Sequence, residues 1–266
     1  MDIRPKIAIC IPTILKDDVL MKCINSILDV YQENWIILIG EQNEIDTYSE
    51  EKKIFYLTAC AREHDNLHQD KIKVVKLPYD CGLSYARNRL VEKAHELGID
   101  YCLISADSIV FTESMKNLTK MLEFITPNDY YDLLGLELNG RISWEAKLDK
   151  TEGWEFNFID RTKEGLIYDC DIVRNFFLAT TKSLLACSWD NEAKMAEHTD
   201  FFWRYKQKGY KVGFTNLCAG KYLSSQDNRE YQRLRRKNME EGKKYIMKKY
   251  NLKKWHIYKH LERIKK

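Results

Sequence analysis

The chain has 266 residues, of which 44% are hydrophobic, 12% aromatic and 31% charged, with a net charge of +3. That length suits one large domain with an appendage, and its longest apolar runs, such as residues 35–39, fall far short of the roughly 20 residues a membrane-spanning helix needs. The charge is unevenly spread: residues 221–266 hold 16 Lys and Arg against 5 Asp and Glu, a balance of +11, which leaves −8 on residues 1–220.

Taken in order, the segments alternate between strand and helix patterns. Lys6–Pro12 predicts a buried strand, and Asp17–Val30 a helix. Trp35–Gly40 is the second strand, followed by a helix near Ser49–Ala61. Ile72–Leu77 is the third strand. A helix runs from Ser84, read as its cap, to Leu97, and Gly98 stops it. Tyr101–Ser105 is the fourth strand. Such repeats predict right-handed βαβ units around a mainly parallel sheet, with ligands beyond the carboxyl ends of the strands. Further on, Tyr131–Leu138, Val173–Ala179 and Tyr210–Phe214 read as strands, Glu197–Lys208 as a helix, and residues 227–266 as one or two basic helices. Trp144 and Trp154 lie in an aromatic-rich stretch between two of these strands.

Eight cysteines, at 10, 23, 60, 81, 102, 170, 187 and 218, include no pair two or four residues apart. Cys10 and Cys102 fall within apolar strands, where cysteine behaves as a small hydrophobe. The reading is reduced, structural cysteine and a cytoplasmic protein. The N-terminus leads straight into a strand with no apolar leader-like run, which fits that expectation.

Neither a Gly-x-Gly-x-x-Gly nor a Gly-Lys-Ser/Thr loop is present, which argues against dehydrogenase and P-loop chemistry. Four segments fall at strand ends or helix starts: Ile-Cys-Ile-Pro-Thr at 9–13, Ile-Ile-Leu-Ile-Gly-Glu at 36–41, Gly-Leu-Ser-Tyr-Ala-Arg-Asn at 82–88 and Tyr-Cys-Leu-Ile-Ser-Ala-Asp-Ser at 101–108. With Glu-His-Thr-Asp-Phe-Phe-Trp-Arg at 197–204, this ordered set resembles family 2 glycosyltransferases of the GT-A fold over roughly residues 5–215. The last segment is similar to that of β1,4-N-acetylgalactosaminyltransferases.

The resemblance implies an α/β GT-A domain over 1–220, Rossmann-like, with helices flanking a mixed, mainly parallel sheet. A basic, aromatic-rich helical arm would follow over 221–266. It implies an inverting transfer of a hexose or N-acetylhexosamine from a UDP-sugar to a hydroxyl of a cell-surface glycan or lipid-linked acceptor. Pro12 and Thr13 would line the base pocket, with Glu41 standing where the family usually has an aspartate. Arg87 and Asn88, in the first turn of their helix, would meet the diphosphate. Asp107 is the one carboxylate kept where the family has two or three, and it would hold Mn²⁺ or Mg²⁺ with the donor's phosphates. The catalytic base lies among Glu197, His198 and Asp200; His198 alternatively joins the metal. On a helix, 197 and 200 share a face and 198 is turned about 100° away. Trp189 and Asp190 are candidates for an acceptor platform.

The arm interleaves cations with Tyr222, Tyr231, Tyr245, Tyr250, Trp255 and Tyr258, a pattern for docking on an anionic membrane surface, against the alternative of a solvated helix packed on the body; nucleic acid is not expected as a partner. Two rival functions stand beside transfer: a non-catalytic GT-A binding protein, because Ala106 and Ser108 replace carboxylates, and a sugar-nucleotide pyrophosphorylase, which would need a Gly-rich loop after Ile11.

Overall fold

The computed structural model describes residues 5–60, 71–125, 131–139, 145–159, 167–223 and 228–259. Trp144 and the ends of the basic segment lie outside these residues.

The elements run β1 (Ile7–Thr13), α1 (Asp17–Asp29), β2 (Trp35–Glu41), α2 (Glu50–Cys60), β3 (Ile72–Lys76), α3 (Leu83–Glu96), β4 (Tyr101–Ile104) and β5 (Ile109–Phe111). A 3-10 helix at Glu113–Phe124 leads to β6 (Leu133–Leu138), β7 (Ala146–Lys150), β8 (Trp154–Phe158), β9 (Ile167–Cys170) and β10 (Phe177–Thr180). The chain continues through α4 (Thr181–Ala186), α5 (Glu197–Gln207), β11 (Val212–Tyr222), α6 (Arg229–Tyr250) and β12 (His256–Lys259).

Among the described residues, the main sheet runs β3-β2-β1-β4-β10-β6-β11-β5, with β9 also on β11, and β12-β8-β7 form a second, small sheet. β3, β2, β1 and β4 are parallel, as the βαβ pattern requires, and β10 enters antiparallel to β4. The expected mixed α/β sheet flanked by helices is what forms.

Every residue of β1 is buried, and strand periodicity divides the parallel strands between two cores. Ala8, Cys10, Leu38, Cys102 and Ile104 face α3 through Leu90, Val91 and Ala94. Ile7, Ile9, Ile11, Ile37, Ile39 and Leu103 face α1 through Leu20, Cys23, Ile24 and Ile27. Two covered faces fix the pairing register, because a one-residue slip would exchange the two sets. The register then carries Thr13 level with Glu41 and Cys10 level with Ile104, so the loops after β1, β2 and β4 emerge at one edge. Cys10, Cys23, Cys81, Cys102, Cys170, Cys187 and Cys218 are unbridged.

Several predicted boundaries move. β10 begins at Phe177, four residues after Val173. The last predicted strand, Tyr210–Phe214, is the start of the eleven-residue β11, whose pairing with β6 shifts between Thr215 and Ala219. The small and polar residues after Phe214 hide this continuation from an apolar count. α3 is capped by Gly82 at φ 85°, while Ser84 sits inside the helix and donates to the Lys194 carbonyl at 3.0 Å.

The basic segment is built into the body. α6 buries Asn238, Gly242 and Ile246, a stripe at four-residue spacing, and β12 pairs in parallel with β8. A Cβ on Gly242 would lie 2.0 Å from the Ala193 carbonyl oxygen, so glycine is what lets α6 approach this closely. No described helix is long and apolar enough to cross a membrane.

Candidate functional site

The strand ends open into a cleft of about 270 Å³, lined on the sheet side by Pro12, Thr13, Lys16, Gln42, Asp80, Gly82, Ala106, Asp107 and Ser108. α3 adds Arg87, and α6 roofs the cleft with Tyr231, Leu234, Arg235 and Asn238. A second recess of about 400 Å³ adjoins it, lined by Glu197, His198, Thr199, Arg174, Trp255 and His256. Leu83, Ala106, Asn175, Met195, Tyr222 and Arg235 line both. The loop after β4 and the first turn of α5, 90 residues apart in sequence, therefore meet across one two-lobed cleft.

Asp107 is buried, and both its oxygens are engaged. Oδ1 accepts from the Lys16 ammonium and Oδ2 from the Thr13 hydroxyl at 3.1 Å. Lys16 is itself only 7% exposed and lies 4.4 Å from the centre of the Tyr231 ring. Burial opposes its charge, but the Asp107 carboxylate beside it and Tyr231 carry its pKa above the ordinary lysine value. Lys16 arrives there by a strained turn: Leu15 has φ 56°, held by Asn43 Oδ1 on its N–H at 3.0 Å and by the Asn228 side-chain amide on its carbonyl.

A divalent cation needs several oxygen donors around it. Asp107 offers oxygens already bonded to an ammonium and a hydroxyl, and no three His, Cys, Asp or Glu gather into a metal-binding group among the described residues. His198, the other expected ligand, lines the second lobe instead. The donor set does not fit a resident divalent metal.

Glu197 is buried at the start of α5. Its Oε1 accepts from Arg87 Nη1 and from Asn175 Nδ2 at 3.2 Å, while Oε2 has no hydrogen-bond partner. Burial raises its pKa above the usual carboxylate range, with Arg87 pulling the other way. Asn175 Oδ1 accepts from His198 Nδ1 at 2.9 Å, the tautomer that follows once the amide nitrogen serves Glu197. Burial, then the Arg87 guanidinium, holds the His198 imidazole down at about 3, so it is neutral near pH 7.

The remaining candidates sit elsewhere. Asp200, fully buried, accepts from Arg204 Nε, Lys249 Nζ and Tyr250 Oη, each at 2.8 Å, and lines neither lobe. Helical spacing paired 197 with 200, yet 197 and 198 share the cleft because α5 meets it end-on, with its first turn. Glu41 is locked by Lys52 at 2.6 Å, Tyr56 Oη at 2.9 Å and the Asn43 N–H at 2.8 Å. The neighbouring Gln42 lines the cleft in its place. α3 begins at Leu83, so Arg87 lies beyond its first turn and reaches the cleft by its own length. Asn88 is a brace: it donates to the Trp189 carbonyl and accepts from the Trp189 N–H, both at 2.8 Å. Trp189 is stacked on Phe201 at 4.5 Å and 12° and lines neither lobe of the cleft. Asp190 anchors α6 through Tyr245 at 2.9 Å and Lys249 at 2.7 Å.

Sequence reading did not single out Lys16, Asn175 or Arg235, and it placed Trp255 in the basic segment rather than at the cleft. Lys16 follows a predicted strand, whereas Asn175 fell inside the predicted strand Val173–Ala179 and lies in the loop before β10. Arg235 and Trp255 lay in a segment assigned to a separate arm.

No protein-family profile and no curated protein sequence matches the chain. Solved structures do. GalNAc-T7, in a structure with UDP, GalNAc and Mn²⁺, superposes with a TM-score of 0.62 at 10% identity, over 84% of this chain and 45% of that one. Residues 1–349 of S. aureus TarS give 0.54 at 17% identity over 88% and 65%, and a longer TarS structure 0.55 at 15% over 88% and 39%. The chain thus spans less than two thirds of each of these structures. At such identities the likeness carries architecture alone, and that architecture is GT-A.

Proposed function

We propose that the protein is an inverting glycosyltransferase that moves a hexose or N-acetylhexosamine from a UDP-sugar to an acceptor hydroxyl. The supporting observation is the pairing, in one cleft, of a cationic lobe at the strand ends with a lobe that presents an unpartnered buried carboxylate oxygen. The donor occupies the first lobe, its base against Pro12, Thr13 and Gln42 and its diphosphate beside Lys16. The acceptor enters the second.

Inversion takes one displacement. The acceptor hydroxyl gives its proton to Glu197 Oε2 while its oxygen bonds to the anomeric carbon; the bond from that carbon to the diphosphate breaks, and UDP leaves with the electron pair. Glu197 suits this role because Oε1 is pinned by Arg87 and Asn175 while burial makes the carboxylate more basic. His198, neutral and weakly basic, orients Asn175 instead. Trp255, which stacks on His256 at 5.0 Å and lines the second lobe, is the aromatic side chain placed to meet the acceptor, where Trp189 is not.

The family resemblance implies a divalent metal on the leaving diphosphate; here no residue set among the described residues fits one. The acceptor is a surface or lipid-linked glycan, and the cations on the outer face of α6, Arg229, Arg233, Arg236, Lys237 and Lys244, hold the enzyme against an anionic membrane. Tyr231, Tyr245 and Tyr250 contribute nothing to that contact, since they point to Lys16, Asp190 and Asp200.

Screening UDP-sugars for UDP release tests the reading. At least one donor should be turned over above background. A protein that binds UDP yet turns over no donor, with or without glycan acceptors, would be a binding protein instead.

A further inference from the structure

We propose that Lys16, with Arg235, supplies the positive charge that a bound divalent cation would bring to the leaving diphosphate, so that donor binding and transfer run without metal. This rests on reading the cleft as a UDP-sugar site.

Four observations carry it. Both oxygens of Asp107, the single carboxylate at the expected metal position, are spent on Lys16 and Thr13. The Lys16 ammonium sits at that position with three N–H donors; Asp107 takes one, and the others remain for phosphate oxygens. The turn that delivers Lys16 keeps a leucine at φ 56° and is clasped from β2 by Asn43 and from α6 by Asn228. A strained, doubly held turn fits a side chain fixed for a purpose better than a lysine filling space. Finally, Arg235 lines both lobes and makes no ion pair among the described residues. Its planar fork suits two phosphate oxygens at once. Together the two side chains provide the double charge of a divalent ion, and a metal entering beside Lys16 would meet a buried cation that already neutralises the carboxylate it would need.

The role of Asp107 changes accordingly. It becomes a positioning residue that keeps a buried lysine charged and aimed, rather than a metal ligand. The Thr13 hydroxyl donates to its other oxygen, and the Tyr231 ring lies against the ammonium. Because Tyr231 and Arg235 belong to α6, the C-terminal segment becomes part of the donor site.

Titration calorimetry with UDP on the full-length protein, once in EDTA and once in excess MnCl₂, tests this. The expected affinities agree within about twofold, and Lys16→Met weakens binding at least about tenfold in both buffers, as loss of a charge-assisted phosphate contact predicts. Lys16→Arg should stay within about threefold of wild type. Arg235→Ala should weaken binding independently of Mn²⁺. Since Lys16→Met strands a buried carboxylate, the double variant Lys16→Met/Asp107→Asn provides a foldable counterpart, with the same loss expected and its thermal unfolding measured alongside. UDP binding seen only with Mn²⁺, or restored to Lys16→Met by Mn²⁺, would overturn the proposal while sparing the glycosyltransferase reading. No UDP binding in either buffer would overturn both.

Discussion

Glu197 and His198 are adjacent in sequence and opposite in chemistry, and the difference comes from their partners. Glu197 is held through one oxygen with the other unpartnered, and burial raises its pKa; His198 is kept neutral by burial and the Arg87 guanidinium. An active base must be deprotonated, so the acid limb of the rate profile should lie above the ordinary carboxylate value near 4.3. Histidine burial also has a stability signature. His198 at about 3 and His256 at about 4 stay neutral in the fold, whereas the unfolded chain takes up protons on both near pH 6.5. Below about pH 6.5 the unfolded state binds more protons, so stability falls as pH drops toward those folded values. Urea unfolding should show a loss on the order of 1 kcal/mol or more between pH 7 and pH 5, and His198→Asn should flatten that slope. An unchanged slope would mean that His198 titrates normally in the fold. From the sequence, the 197–200 segment was recognisable as a candidate base region. Which residue acts was not, because the choice depends on Asn175 and on Lys249 and Tyr250, all distant in the chain.

The elements divide in the same way. β1, β2 and β4 were readable because each is a continuous apolar run, and α1 and α3 because each buries a clear apolar stripe, whereas α2 buries Lys52 and leaves Ile54 and Leu57 exposed. β7, β8 and β12 were not, because their small sheet alternates charges with aromatics and forms only when the C-terminus returns. α6 is the clearest case. Its composition of cations and aromatics suggested either a membrane-docking arm or a solvated helix packed on the body, and its inner stripe of Asn238, Gly242 and Ile246 fits it against the loop before α5. Gly242→Ala tests that fit. On an isolated helix the change would favour helicity by up to about 1 kcal/mol. Here the new methyl group would press on the Ala193 carbonyl, a backbone atom that cannot step aside. We expect a net loss of about 1–3 kcal/mol by thermal or urea unfolding, with UDP affinity reduced because Tyr231 and Arg235 move with the helix. A stabilised variant would show that α6 does not dock there.

At the scale of the whole molecule, the charge asymmetry seen in the sequence becomes a two-sided helix. The inner side of α6 pairs with the body, through Lys249 to Asp190 and Asp200 and Asn238 to Asp80 at 2.6 Å. The outer side carries the cationic patch. Charge reversal of Arg233, Arg236 and Lys237 should therefore abolish cosedimentation with phosphatidylserine vesicles, at about 1 kcal/mol per cation, while leaving donor turnover unchanged. Vesicle binding that survives would assign the patch to another anion or to solvent. The GT-A sheet brings strand ends, α5 and α6 to one cleft, where the proposed base Glu197 would take the acceptor proton. The most direct measurement is kcat for UDP release by Glu197→Gln against wild type, with UDP affinity measured in parallel. The account predicts unchanged UDP affinity and a kcat lower by about 100-fold or more. Equal kcat in the two proteins would contradict it.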